Sequence, residues 1–203
     1  MSFLNLGKYE KAIDDFSKAL EIDANLLSGY INRAQAFIEK KNFMSAISDL
    51  TKALQLTNET SIPLLSLRAF AYTNLNHFSE AIADVNKIIK NKDENKLSER
   101  LHQRALLWFK LGKIKESIAD LDIVIFEIAN EFANHQAIGT GGESMFSGYC
   151  YNTKAWIMCI YKQPEQAMKL VNIAIRLHPR LANAFDTRGV ANLMLQKTEE
   201  VCL

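Results

Sequence analysis

Apolar residues return every three to four positions along most of the chain, and polar residues fill the faces between them. Tyr30, Ala34, Phe37 and Ile38 fall on one stripe; Ala46, Ile47, Leu50, Ala53 and Leu54 fall on a second. That period predicts amphipathic helices from about Ser28 to Lys40 and from about Phe43 to Leu56. Only Lys40-Lys41-Asn42 joins them. So short a polar joint turns the second helix back antiparallel to the first. The small residues let two backbones approach, and Tyr30, Phe37 and Leu50 fill the space around them.

The hairpin recurs. Lys11-Ala12-Ile13-Asp14-Asp15-Phe16, Ser45-Ala46-Ile47-Ser48-Asp49-Leu50, Glu80-Ala81-Ile82-Ala83-Asp84-Val85, Glu116-Ser117-Ile118-Ala119-Asp120-Leu121 and Gln166-Ala167-Met168-Lys169-Leu170-Val171 share one register. Taking Ala12, Ala46, Ala81, Ser117 and Ala167 as one position, the steps are 34, 35, 36 and 50. A period near 34 residues marks an array of helical hairpins, each an A helix followed by a B helix. The A-helix small residue is Ala34, then Ala69, Ala105, Ala155 and Gly189. The expected units are a partial one over 1–25, four over about 27–60, 62–96, 98–131 and 148–180, and a partial one over 182–203. The extra residues, 132–147, are expected as an insertion or hinge loop containing Gly139-Thr140-Gly141-Gly142-Glu143-Ser144, free to contact a partner.

Two charge series follow the same register. Arg33, Arg68, Arg104, Lys154 and Arg188 precede the A-helix small residue, and Asp15, Asp49, Asp84 and Asp120 follow the B-helix small residue by three. Leu170 breaks the acidic series. The series form either a basic stripe for an acidic ligand or internal ion pairs. Their balance favours pairs that set repeat register.

The spacing and residues resemble the tetratricopeptide repeat. Gly7-Lys8-Tyr9-Glu10-Lys11-Ala12-Ile13-Asp14-Asp15-Phe16-Ser17-Lys18-Ala19-Leu20 is close to the second half of that family's unit, and Lys110-Leu111-Gly112-Lys113 to its turn. The unit's closing proline occurs only once, as Pro179. The resemblance implies an all-α, right-handed superhelical solenoid of eleven or twelve helices whose A helices line a concave groove. It places Ile31, Gln35, Phe70, Asn74, Leu106, Phe109, Tyr149, Asn152 and Trp156 on that groove. Phe70, Leu106, Phe109, Tyr149 and Trp156 would then form an apolar patch, either open to a partner or covered by Met145 and Phe146 of the insertion. A subtype of the family clamps acidic chaperone C-termini with Lys, Arg and Asn side chains. At the matching slots stand Ile31, Asn32, Pro63, Ser66, Leu67 and Phe70, of which only Asn32 fits.

Composition narrows the function further. Lys and Arg number 24 against 23 Asp and Glu, so neither nucleic acid nor an anionic membrane is an expected partner. The longest apolar run, Ile123-Val124-Ile125-Phe126, is far short of a membrane span. No secretory leader is read at the N-terminus. Cys150, Cys159 and Cys202 lack paired spacing and read as reduced thiols in a cytoplasmic or nuclear setting. His77, His102, His135 and His178 show no metal-ligand spacing, and the glycines of 139–142 are followed by no Gly-Lys-Ser/Thr, so neither metal nor cofactor is expected. Both ends fall inside a repeat, as in a fragment of a longer array or a chain whose open ends dock on another copy. The reading is a non-catalytic scaffold or adaptor that holds a peptide or helix of a partner protein in its groove. The alternatives are a co-chaperone adaptor for acidic C-termini and the regulatory arm of a larger enzyme.

Overall fold

A computed structural model of the chain describes residues 3–91, 96–134 and 141–201, with side chains described over 8–91, 96–130 and 145–196. Ten helices make up these residues: α1 (Phe3–Ile22), α2 (Leu27–Glu39), α3 (Phe43–Leu56), α4 (Ile62–Asn74), α5 (Phe78–Lys90), α6 (Leu97–Lys110), α7 (Ile114–Asn134), α8 (Gly141–Ile160), α9 (Pro164–Leu177) and α10 (Ala182–Val201). No strand occurs among the described residues. The architecture is all-α, an array of antiparallel helix pairs. It divides into two compact units, Met1–Arg100 and Leu101–Leu203.

Close backbone approach organises both units. Ala34, Ala46, Ala69, Ala81, Ala105, Ala155 and Ala167 are completely buried. In the first unit Ala34, Ala46, Leu50, Ala53, Leu54 and Leu65 form one core, with Tyr30 and Phe37 packed against it. Each fully buried leucine there is worth roughly 1.5–3 kcal/mol of transfer free energy. In the second unit Ala105, Leu121 and Ile157 form a core under Phe109. Ala155, Val171, Ala174 and Ala184 form another. Ser117 stands where the other B helices have alanine, and it is just as buried. Its hydroxyl donates to the Ala105 carbonyl at 2.7 Å, so the extra polar atom costs no unmet hydrogen bond.

Each A–B joint is built alike. Lys41, Asn76, Gly112 and Lys162 adopt left-handed backbone, with φ of 59°, 60°, 78° and 56°. The next amide donates five residues back, Asn42 to Phe37, His77 to Tyr72, Lys113 to Trp108 and Gln163 to Met158, at 2.8–2.9 Å. This closes the last turn of the A helix and satisfies its free carbonyls. Glycine suits the position best, because it has no Cβ to clash there.

The charge series pair internally. Arg33 grips both oxygens of Asp49, Arg68 both of Asp84, and Arg104 both of Asp120, at 2.7–2.8 Å. Arg33 also donates to Ser17 and Arg68 to Thr51, each on the preceding B helix. One guanidinium therefore ties its A helix to two B helices. The hydrogen bonds to Asp49 and Asp84 hold the Arg33 and Arg68 guanidiniums above the ordinary arginine value. Where Leu170 replaces the aspartate, Lys154 turns instead to Asp122 on the preceding B helix.

The structure corrects three expectations. Of the expected A-helix tail over Met1–Leu6, the described residues Phe3–Leu6 are not a separate helix, because α1 runs unbroken through Gly7. A last B helix does not begin at Thr198, because α10 continues to Val201. Leu195-Gln196-Lys197-Thr198-Glu199-Glu200 contains no glycine or proline to end it. Among the described residues the helices number ten, where eleven or twelve were expected. Finally, the segment 132–147 is helical over 132–134 and 141–147, so Gly141–Ser144 open α8 rather than form a turn. Residues 135–140 lie outside the described residues.

The Arg68–Asp84 pair is the most buried of the series, with side chains 11% and 3% exposed. Asp84→Ala strands a buried guanidinium and is expected to destabilise the first unit by about 3–5 kcal/mol. Replacing both, Arg68→Met with Asp84→Leu, is expected to recover most of that loss. Denaturant melts of the chain and the two variants check both outcomes.

Candidate functional site

α6 and α8 are A helices of the second unit, and α10 stands in the same register. The small residues Ala105 and Ala155 face inward. The residue after each, Leu106 or Trp156, is thereby turned outward, about 100° around the helix. Both are 39% exposed. Between them lies a groove of about 300 Å³ lined by Leu106, Phe109, Asn152, Trp156, Asn183 and Asp186, among others. Leu106, Phe109 and Trp156 make it apolar; Asn183 and Asp186 put polar groups on the α10 side.

Asn152 is the unusual member. The residue is 8% exposed, and its Oδ1 has no hydrogen-bond partner among the described residues. A buried amide oxygen without a donor costs about 1–3 kcal/mol. A ligand offering an N–H there would recover that cost. Phe109 has two roles, since it also packs on Ala105, Leu121 and Ile157. Next to the groove, His102 Nε2 lies 3.2 Å from Thr153 Oγ1, and its ring meets the Phe146 ring edge-on at 5.6 Å. Burial holds the His102 ring below the ordinary histidine pKa.

The other expected groove residues are placed differently. Tyr149 is 39% exposed but does not line the groove. Phe70, in the first unit, is 49% exposed and sets its ring against Phe43 at 6.1 Å. Asn74 donates to the Phe70 carbonyl of its own helix at 2.8 Å. Ile31 packs against the first unit's core. Gln35 lines a second groove of about 520 Å³ with Tyr9, Phe16, Asn32, Glu39 and Leu67. Among the described residues no cation lines that groove. Phe146 of the expected insertion packs on His102. Asn183 and Asp186 were legible as slots six and three residues before Gly189, the A-helix small residue of α10.

No group of three or more metal-ligating side chains occurs among the described residues. No described helix is long and apolar enough to cross a membrane. Cys150 and Cys159 are buried thiols; burial pushes Cys150 up to about 12 and raises Cys159. Such thiols make poor nucleophiles.

A protein-family model described as Tetratricopeptide repeat matches residues 1–26 and 27–60. Over residues 1–60 the chain is thus similar to two successive tetratricopeptide repeats. Repeats of this kind mediate protein–protein interaction. The chain is 34% identical over 94 residues to sperm-associated antigen 1 of Rattus norvegicus, a match covering 46% of this chain and 10% of that protein. It is 30% identical over 120 residues to the mitochondrial import receptor subunit TOM70 of Homo sapiens, covering 56% of this chain and 20% of that one. The matches thus span between a tenth and a fifth of these relatives. In fold, the chain is similar to YrrB, a TPR protein with an unusual peptide-binding site. The TM-score is 0.64 at 18% identity, over 90% of this chain and 84% of that one.

His102 yields a pH prediction for the second unit. Its folded-state pKa is depressed by burial, so the unfolded chain takes up the proton more readily. Stability from this group is present above the unfolded value of about 6.5 and is lost as pH falls through it toward the folded value. Thermal melts at pH 7.5 and pH 5 are expected to show a smaller acid-induced fall in Tm for His102→Gln than for the parent.

Proposed function

We propose that the chain is a non-catalytic binding scaffold that holds a segment of a partner protein in the groove of its second unit. The observation that carries this reading is Asn152, a buried amide oxygen without a donor, set among the apolar side chains of Leu106, Phe109 and Trp156. That combination suits a peptide or helix that inserts an apolar side chain and offers an N–H to Asn152. The rim amide and carboxylate of Asn183 and Asp186 then contact its polar edge.

An apolar floor and a neutral amide predict binding that depends little on salt. An acidic C-terminal tail held by cations would weaken steeply as salt rises, and among the described residues the first unit's groove has no lining cation to hold one. In this reading the chain works in the cytoplasm or nucleus as one module of an adaptor.

Phe109 is a poor probe because it also supports the core, whereas Trp156 and Leu106 project into the groove. Proteins retained from a lysate by the parent chain are identified first, and the bound segment is made as a synthetic peptide. Trp156→Ala with Leu106→Ala is expected to weaken that peptide's binding by about tenfold or more. Helicity by circular dichroism should stay at the parent level. Titration at low and high salt is expected to give nearly equal affinities. Equal binding by the parent and a folded double variant would sink the groove assignment.

A further inference from the structure

The groove of the second unit is one-sided in charge. Asp186 is the one ionised side chain among its described lining residues, and it is exposed. It has no ion-pair partner among the described residues. Three cations of the same helices serve other partners. Arg104 holds Asp120, Lys154 holds Asp122, and the Arg188 guanidinium lies over the Phe185 ring at 5.1 Å.

Hydrogen-bonding capacity is one-sided as well. The Thr187 hydroxyl donates to the Asn183 carbonyl of its own helix at 2.9 Å, and the Thr153 hydroxyl lies 3.2 Å from His102 Nε2. That leaves the Asn152 Oδ1 atom, buried without a donor, and the Asp186 carboxylate, which can only accept. The neutral Asn183 amide can act either way. Around these acceptors stand Leu106, Phe109 and Trp156. Two acceptors framed by apolar side chains and a partly exposed indole suit a flat cation on an apolar stem.

Resting on the groove reading above, we infer that the bound segment carries an arginine, whose guanidinium lies on the Trp156 ring and donates to Asp186. The arginine stem covers the apolar side chains of Leu106 and Phe109. The planar head stacks on an indole face and is more weakly hydrated than an ammonium. It also carries enough N–H groups to serve the Asp186 carboxylate and the Asn152 oxygen together. Lysine brings a compact, strongly hydrated ammonium that suits a stacking surface less well. A glutamate or phosphate would meet Asp186 with like charge. A single pair at an exposed rim changes affinity only a few-fold, so binding keeps a shallow salt dependence.

Peptide pools test this on residues 1–203. The acetylated, amidated pools share randomised flanks and differ in one central residue, fixed as arginine, lysine, citrulline or glutamate. Citrulline keeps the shape of arginine without its charge. The parent is expected to bind the arginine pool about fivefold or more tighter than the citrulline and glutamate pools, with lysine between. Asp186→Asn is expected to bring the arginine-to-citrulline ratio close to one, and Asp186→Lys to move the preference to glutamate. Glu165→Gln removes an exposed acid on α9 outside the groove and should keep the parent's ratio. Helicity of each variant is checked against the parent.

A parent that retains no pool, or binds arginine no better than citrulline, overturns the arginine assignment. So does an unchanged ratio in Asp186→Asn, or a Glu165→Gln that lowers the ratio equally. If Trp156→Ala with Leu106→Ala still weakens every pool, the groove reading survives those results. If that folded double variant binds every pool as the parent does, the groove reading falls and the arginine with it.

Discussion

Every helix pair in this chain depends on a small residue at one point of each helix. Without Ala34 against Ala46, or Ala105 against Ser117, the backbones would stand farther apart and the larger side chains could not interlock. One pair alone cannot bury both faces of both helices, so within a unit a B helix also receives the A helix that follows. Leu65 of α4 shows this dependence, since it is fully buried in the core that α2 and α3 build. Stability is therefore shared between neighbouring helix pairs within a unit.

The arginine–aspartate pairs act on top of that packing. A guanidinium has a flat fork of donors that fits a carboxylate in only a few orientations. Arg33 and Arg68 extend the constraint by reaching Ser17 and Thr51 on the preceding B helix. Apolar packing tolerates a small slide of one helix along another, but a two-bond pair does not. The pairs therefore specify register more than they add stability, because removing two charges from water offsets much of their attraction. The Lys154–Asp122 pair fits this view. Where Leu170 removes the aspartate, a lysine makes a single-point contact to the preceding B helix instead.

Much of this was legible from residue spacing, because burial in an array repeats with the sequence. The alanines, the polar joints and the two charge series recur together, and each recurrence checks the others. Elements at the margins were less legible. The joint expected near Thr198 was placed by repeat register, yet local chemistry decided, and with no breaker α10 ran on. Gly141-Gly142 looked like a turn because glycine is flexible, but that flexibility permits a helix as well. In the structure Leu106, Phe109, Asn152 and Trp156 line one cavity. Register could not show that Asn152 would be buried without a donor, or that Phe109 would also serve the core. Both depend on how three helices meet, which no single helix period encodes.

Asn152 bears on how function enters such an array. The buried Ser117 hydroxyl is satisfied within the fold by the Ala105 carbonyl. The Asn152 oxygen is not satisfied among the described residues, although it is comparably buried. An aliphatic residue there would remove the desolvation cost and stabilise the unit. An amide instead keeps an acceptor inside an apolar groove, where water competes poorly for it. That arrangement favours a ligand whose N–H arrives together with apolar bulk over one that brings either alone. Selectivity in this groove would then rest on a polar group left unmatched in the free protein, while Leu106 and Trp156 supply most of the contact area.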